Sequence, residues 1–350
     1  MSDVINLVHA LREREIAFPL FRTALHQNNL PVSQGWDRTI ERLVDDLQNP
    51  KLKKGCEASI FQLYTDITFY GTKLIKIYEN SEAETIKNLL DIELSKTENI
   101  YQKKFPLPLA QKDLIGAPMG PLCVYSQSNE RTSTYIFCSK NYIYDREKIA
   151  EEYMSDKLIE DYGAFDEIVG VRRRPIQVFD LVLVDAISKK IQFRMGGMER
   201  QKIDDIKKRL DVLTKKINKL IDPDADNDLS LLQAVNFYPK IIQLYEEKDG
   251  RIKEIGHSTT TSGIHNGRTR SKKDDVRNDV FFEHGVKAIS SIKAHTLVKC
   301  WDSPTGHGVI SIDIPGTLGL TSEKKPYIDI SCMLDCACED DYAFLLNKLL

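Results

Sequence analysis

Cations gather at three places in the 350-residue chain. Arg268, Arg270, Lys272 and Lys273 stand in the stretch Ser262–Lys273 with His265, Gly263, Gly267 and several hydroxyls among them. Arg172, Arg173 and Arg174 form an unbroken run, and Lys51, Lys53 and Lys54 follow Pro50. Such a mixture suits a phosphate. Flexible cations supply charge, hydroxyls and backbone N–H groups supply hydrogen bonds, and glycine lets the main chain approach closely. An arginine can also lie in a narrow minor groove or stack on a base. The expected chemistry is contact with a polyanion, DNA or RNA. The bland alternative is a solvated loop, neutralised locally by Asp274, Asp275 and Asp279.

A second constellation has the outline of a metal-dependent nuclease. Such a site needs an acid at one strand end and an acid-x-Lys on the next strand, so that carboxylates hold the cation and the lysine orients water. Asp180 or Asp185 followed by Gln192-Phe193-Arg194 resembles that outline, and alternation puts Asp180 on the same face as Val178 and Val182. Gln192 replaces the second carboxylate, however, and Arg194 replaces the lysine with a group that does not deprotonate. The reading is at most a degenerate nuclease.

Cys332, Cys336 and Cys338, with Cys300 and either His295 or His307, offer enough donors for zinc. Their spacing lacks the paired C-x-x-C of a zinc knuckle. Cys332 also continues the inward face of Ile328 and Ile330, so a buried thiol accounts for it. No resident metal or cofactor is expected. The sequence has no Walker A loop, dinucleotide fingerprint or nucleophile elbow on which to hang ATP, NAD or Ser-His-Asp chemistry. His284, His295 and His307 are scattered and read as structural.

The elements that must position these residues fall into three segments. Residues 1–66 read as a helical unit: Val4, Leu7, Val8 and Leu11 recur at helical spacing, Pro19 opens a second helix and Pro31 closes it. Asp37 is placed to cap a third helix, and the basic run after Pro50 reads as a turn before a helix over Glu57–Tyr64. Residues 67–240 alternate strands and helices. A strand is expected over Ile67–Tyr78, a helix behind the capping box of Ser81 and Glu84, and a loop over 104–121. Leu122–Gln127 and Thr132–Ser139 make one hairpin, and Ile176–Val184 and Ile191–Met195 another. Between the hairpins Asp145 is expected to cap an acidic helix reaching about Asp161. Residues 241–350 read as β-rich, with a long polar and basic loop over 257–278, strands at His295–Trp301, Gly308–Ile314 and Tyr327–Leu334, and a helix from Glu339. The fold class is α/β or α+β: an N-terminal helical unit followed by mixed or antiparallel sheets with packed helices.

One helix stands out. Over 198–221, Ile203, Ile206, Leu210, Leu213, Ile217 and Leu220 recur at intervals of three and four, a narrow heptad seam that points to a helical partner. Pro223 stops it. Lys202, Lys207, Arg209 and Lys216 flank the seam, so pairing with its own copy would oppose like charges. An acidic partner fits better, and the helix expected to carry Glu147, Glu151, Glu152, Asp156 and Glu160 supplies one within the chain.

Composition bounds the whole. With 41% apolar and 29% charged residues the chain is globular, and its net charge of -3 means that a polyanion-binding surface must be a local patch. The opening MSDVINLVHALRERE reads as an amphipathic helix rather than a signal peptide, and the longest apolar runs stop short of a bilayer span. Seven cysteines without an even framework read as free thiols, which places the protein in the cytoplasm, or in the nucleus of a eukaryote. The expectation is a nucleic-acid-binding subunit of a multi-protein assembly. The rival is a scaffold that docks a partner through helical surfaces.

Overall fold

Four helices open the chain: α1 (Asp3–Glu13), α2 (Phe18–Gln27), α3 (Gly35–Leu47) and α4 (Pro50–Tyr70). The computed structural model describes residues 3–350 except 28, 81, 97, 151–152, 154, 164, 200, 222–232, 260–262 and 290–291. Val4, Leu7, Val8 and Leu11 form one buried stripe of α1 and pack with Phe21, Leu25, Leu43 and Ile60 in a core of their own. Asp37 stands in the first turn of α3 without capping it; its carboxylate instead accepts a hydrogen bond from Arg12 at 2.6 Å. The run Lys51, Lys53, Lys54 belongs to α4 rather than to a turn, because Pro50 starts that helix. Nor does a strand begin at Ile67. Ile60, Leu63, Tyr64 and Ile67 continue one buried helical stripe. The helix breaks at Gly71, where a Cβ would lie 2.5 Å from the Ile67 carbonyl oxygen.

Beyond that break runs β1 (Lys73–Glu79), the middle of an eleven-stranded antiparallel sheet. On one side of it the order is β5 (Lys190–Met195), β4 (Ile168–Asp185), β3 (Thr132–Ile149) and β2 (Leu122–Ser128). On the other side come β11 (Ser331–Leu334), β10 (Val309–Ile314), β9 (Ile292–Asp302), β7 (Arg251–Thr259) and β8 (Ile264–Arg268), while the two-residue β6 (Gln233–Ala234) also pairs with β1. The boundary expected near residue 240 therefore falls within one sheet. Both expected hairpins are present, the first longer than its apolar alternation implied.

Two expectations between strands are corrected. Asp145 caps no helix. β3 runs through it to Ile149, paired residue by residue with β4, and the short helix α7 (Asp156–Tyr162) comes only afterwards. The stretch 257–278 is not one loop, since β7 and β8 form a hairpin whose outer strand is a sheet edge. With half-exposed positions on both faces, that hairpin leaves little alternation to read. A smaller difference is α6 (Gln111–Gly116), a short helix inside the expected 104–121 loop.

The remaining helices bury their apolar faces in the same core as the sheet. These are α5 (Ala83–Lys96), α8 (Ile203–Ile221), α9 (Tyr238–Glu246) and α11 (Glu339–Leu349). Asn80 accepts from the Glu82 N–H at 2.7 Å ahead of α5, and Ser81 of the expected capping box lies outside the described residues. The heptad seam is satisfied inside the chain. Ile206, Leu210, Leu213 and Ile217 are buried in the sheet core, with Ile203 and Leu220 packed at its margin. The acidic helical neighbour is α5, whose Glu93 accepts from Lys216 at 2.7 Å. The acids expected to serve lie elsewhere: Glu147 is in β3, Asp156 and Glu160 are in α7, and 151 and 152 are outside the described residues, as is Pro223.

One flank residue of α8 turns inward. Arg209 donates through Nε and Nη2 to Asp180 at 2.8 and 3.1 Å, and also to Gln201 and the Gly196 carbonyl. Asp180 in turn accepts from the Gly196 N–H at 3.1 Å. Both side chains are buried, so removing one partner strands a charge in the core. We expect Arg209→Ala to lower unfolding stability by about 3–5 kcal/mol in urea titrations, and Asp180→Leu combined with Arg209→Met to recover most of that loss. A single variant with an unchanged midpoint would show that the pair does not hold α8 to the sheet.

Candidate nucleic-acid interface

The β7–β8 hairpin and α10 (Val280–Lys287) enclose an open groove of about 1630 Å³. His265, Arg268, Arg270 and Lys273 all line it. Gly267 lets the hairpin press close to α10, since a Cβ there would meet Val276 at 2.9 Å and the Phe282 ring at 3.1 Å. Against that ring the His257 imidazole packs edge-on, and it stacks on His265 with ring centroids 5.5 Å apart. His257 is buried and its Nδ1 has no hydrogen-bond partner. Burial pushes its pKa below the usual histidine value, with His265 and His295 adding to the effect. The ring is thus a neutral aromatic floor at pH 7.

The cations above that floor divide in two. Lys272 is turned away to Asp335 at 2.5 Å, and Arg268 reaches Glu254 at 3.3 Å while remaining well exposed. Among the described residues no carboxylate lies within ion-pair distance of Arg270 or Lys273. The neighbouring aspartates are otherwise engaged: Asp275 holds Arg277 at 2.7 Å, and Asp279 caps α10 through the Phe282 N–H.

The arginine run occupies a different part of the molecule. From the pair Ser139–Val178 out to Ile149–Ile168, β3 and β4 pair with no other described strand, making a two-stranded ribbon about 34 Å long at about 3.4 Å per residue. Its base is pinned by Lys140, which donates to the Ile115 carbonyl at 2.6 Å, and by Gln177, which accepts from the Leu109 N–H at 2.9 Å. Residues directly opposite share a face. One face therefore carries Tyr144, Arg146 and Lys148 against Arg173, Val171 and Val169, with no carboxylate of its own. The other carries Asp145 and Glu147 against Arg172 and Gly170. The three arginines part company accordingly. Arg174 is a bidentate partner of Asp145 at 2.6 and 3.2 Å, and Arg172 stands exposed on that same mixed-charge face. Arg173 lies 3.5 Å from the centroid of the Tyr142 ring on the cationic face. Tyr144 and Val171 are 64% and 60% exposed, so this face meets solvent; among the described residues only Glu167, 3.2 Å from Lys148, tempers its charge. The alternation Tyr142-x-Tyr144-x-Arg146-x-Lys148 is the sequence signal that would have revealed it.

The nuclease-like residues do not converge. Asp180 serves Arg209, while Asp185 at the far end of β4 accepts from the Ser188 N–H at 2.8 Å and from Arg131 at 2.8 Å. Gln192 donates to the Tyr342 hydroxyl at 2.9 Å, and Arg194 donates to Gln192 and covers the Tyr342 ring. Cys300, Cys332 and Cys336 are separately buried, whereas Cys338 lies at the start of α11. Lys53 and Lys54 are exposed on α4, the former 4.0 Å from Glu57. No described helix is long and apolar enough to cross a membrane. A scan against protein-family models finds no match to this chain, and no curated protein matches it significantly.

The buried imidazole sets a pH dependence. His257 takes up a proton less readily folded than unfolded, so its contribution to stability is complete above its ordinary value of 6.5 and is lost as pH falls below it. Thermal melts across this range should show a steeper acid loss for the native chain than for His257→Asn. Equal slopes would assign the loss to other groups.

Proposed function

We propose that this chain binds nucleic acid, with the cationic face of the β3–β4 ribbon as the principal contact and the β7–β8 groove as a second. One observation carries the reading: Arg146, Lys148 and Arg173 share an exposed ribbon face with Tyr142, Tyr144, Val169 and Val171, and the face's own residues include no carboxylate. Cations so placed have phosphate as their natural partner, and exposed tyrosines add stacking or sugar contacts. A two-stranded ribbon also matches the width of the B-DNA major groove, whereas the A-form major groove is too narrow for it. Duplex DNA is therefore the best-fitting ligand. Arg270 and Lys273 supply further phosphate contacts from the groove, over a floor that is aromatic and uncharged.

The far end of the ribbon supports a second reading. Ile149, Tyr153 and Phe165, in and just beyond the ends of β3 and β4, are 39%, 78% and 46% exposed, and exposed apolar side chains of this kind suit a protein partner. On this reading the chain is a subunit of an assembly, held through the ribbon's end while its cationic face stays free.

Fluorescence anisotropy with a short DNA duplex, titrated with salt, tests the proposal. We expect measurable binding at low salt that weakens steeply as salt rises. Arg146→Ala with Arg173→Ala should flatten the log–log salt slope by about 2, each phosphate contact contributing about 0.9. Arg270→Ala with Lys273→Ala should act in the same direction. A native chain that does not bind, or ribbon variants that bind with the native slope, would refute the assignment.

A further inference from the structure

Where the β9–β10 turn meets the start of α11, three metal-ligating side chains of different chemistry converge. They are His307, from the turn between β9 and β10, and Cys338 and Asp341, from the first turn of α11; their donor atoms all lie within 4.8 Å of one another. His307 Nδ1 stands 4.0 Å from Asp341 Oδ2. A second layer orients them. Ser303 and Thr305 donate to Asp341 Oδ1 at 2.6 and 3.0 Å, and the Ala337 N–H donates to Oδ2 at 3.0 Å. The Thr305 hydroxyl touches His307 Nδ1 and lies 3.7 Å from Cys338 Sγ.

The hydroxyl and backbone contacts alone would suffice to close the turn onto α11. They do not account for a thiol and an imidazole from separate elements meeting at the same carboxylate. Among the described residues Asp341 Oδ2 has a single hydrogen-bond donor, the Ala337 N–H, and stands 4.0 Å from His307 Nδ1 with a lone pair to spare. Asp341 is fully buried, and His307 and Cys338 are half-buried, so the cluster is rigid at its base and reachable from solvent. We propose that His307, Cys338 and Asp341 form a mononuclear Zn²⁺ site.

The donor set selects the ion. A thiolate disfavours Mg²⁺ and Ca²⁺, and one sulfur, one imidazole nitrogen and one carboxylate oxygen suit Zn²⁺. Donors about 2.0–2.3 Å from a tetrahedral ion sit roughly 3.3–3.8 Å apart, so the cluster closes on the metal by movements of about 1 Å or less per pair. Gly306 and Gly308 flank His307 with φ of +78° and +117°, and their backbone freedom lies where that adjustment falls. On binding, Cys338 releases its thiol proton, and the imidazole carries its proton on Nε2 so that Nδ1 exchanges the Thr305 hydroxyl for the ion. Three protein donors leave a fourth position for water, as in zinc sites that exchange ligands. Ser303 and Thr305 hold the carboxylate from behind.

Cobalt substitution of the full-length, chelator-treated chain tests this. Stoichiometric Co²⁺ should give a thiolate-to-metal charge-transfer band and tetrahedral visible bands, and Zn²⁺ should displace both. Cys338→Ser should abolish the charge-transfer band despite six remaining cysteines, and His307→Ala should weaken binding more than tenfold. Ser303→Ala should weaken it about tenfold, as loss of a supporting hydrogen bond does. Zn²⁺ should raise the melting temperature of the native chain and leave that of Cys338→Ser unchanged. Metal-free melts of each variant separate a lost ligand from a lost fold. Absence of the charge-transfer band in the native chain, or its persistence in Cys338→Ser, overturns the site. DNA binding by Cys338→Ser should match that of the native chain, which keeps this result independent of the ribbon's role.

Discussion

The pairing of β1 with β11 is the constraint on which the rest of the structure depends. Leu74 faces Cys332 and Ile75 faces Ser331 across this seam, while the other edge of β1 is matched to β5 from Leu74 to Glu79. The first strand of the sheet is thereby flanked by the fifth and the last. Every strand contributed by residues 122–195 lies to one side of β1, and every strand from 251–334 to the other. The ribbon and the groove consequently sit toward opposite ends of one sheet, about six strand spacings or roughly 29 Å apart along it. The junction is itself polar. Lys73 is buried at the first residue of β1, and burial, with Arg14 nearby, holds its pKa well below the usual lysine range. Asp180 and Glu199 oppose that shift.

Legibility in the sequence followed the strength of local periodicity. The seam of α8 was visible because six apolar residues keep the helical interval over five turns, and the turn at Asn129 was visible because its side chain does the bonding, accepting from the Arg131 and Thr132 N–H groups at 2.9 and 2.7 Å. What the seam faces was not visible. A narrow stripe suits a helix or a sheet equally once Arg209 is drawn inward, and only the position of Asp180 decides that it is. The ribbon was hidden for a related reason. Asp145 followed by Glu147 and Glu151 has the local signature of a helix start, but cross-strand partners lie more than 20 residues away in sequence, and the bidentate contact from Arg174 outweighs a cap worth about 1 kcal/mol. Long-range pairing overrode local propensity there. At 251–268 the difficulty was burial: an edge hairpin needs few apolar residues, so hydroxyls, histidines and arginines could form strands while reading as loop.

The fate of the cations shows why clustered charge is a poor guide without geometry. Within each basic run the chain neutralises some members and leaves others. Asp145 takes Arg174 but not Arg173, and Asp335 takes Lys272 but not Lys273. Strand alternation sorts the first case, because consecutive residues point to opposite faces and only one face carries acids. In the second, Lys272 is drawn to an aspartate just past β11, far away in sequence, while its neighbours stay over the groove. Net charge is blind to this. A chain of net charge -3 presents a local face of positive sign because the ribbon's own carboxylates, Asp145 and Glu147, stand on its opposite side.

The C-terminal helix links these regions mechanically. Tyr342 of α11 is buried; its hydroxyl accepts from Gln192 of β5, and its ring lies 4.1 Å beneath the Arg194 guanidinium. One residue earlier, Asp341 gathers the hydroxyls of the β9–β10 turn. Farther along, Lys348 joins Asp249 at 2.6 Å, and Asp249 also accepts from Trp301. Burial would raise the Asp249 pKa, but the bonds from Lys348 and Trp301 and the charge of Lys299 hold it well below the usual carboxylate range. The helix is thus fastened to both halves of the sheet from its first turn. A ligand that tightens its first turn must act on the same body that carries β5, β9 and β10 rather than on a peripheral appendage.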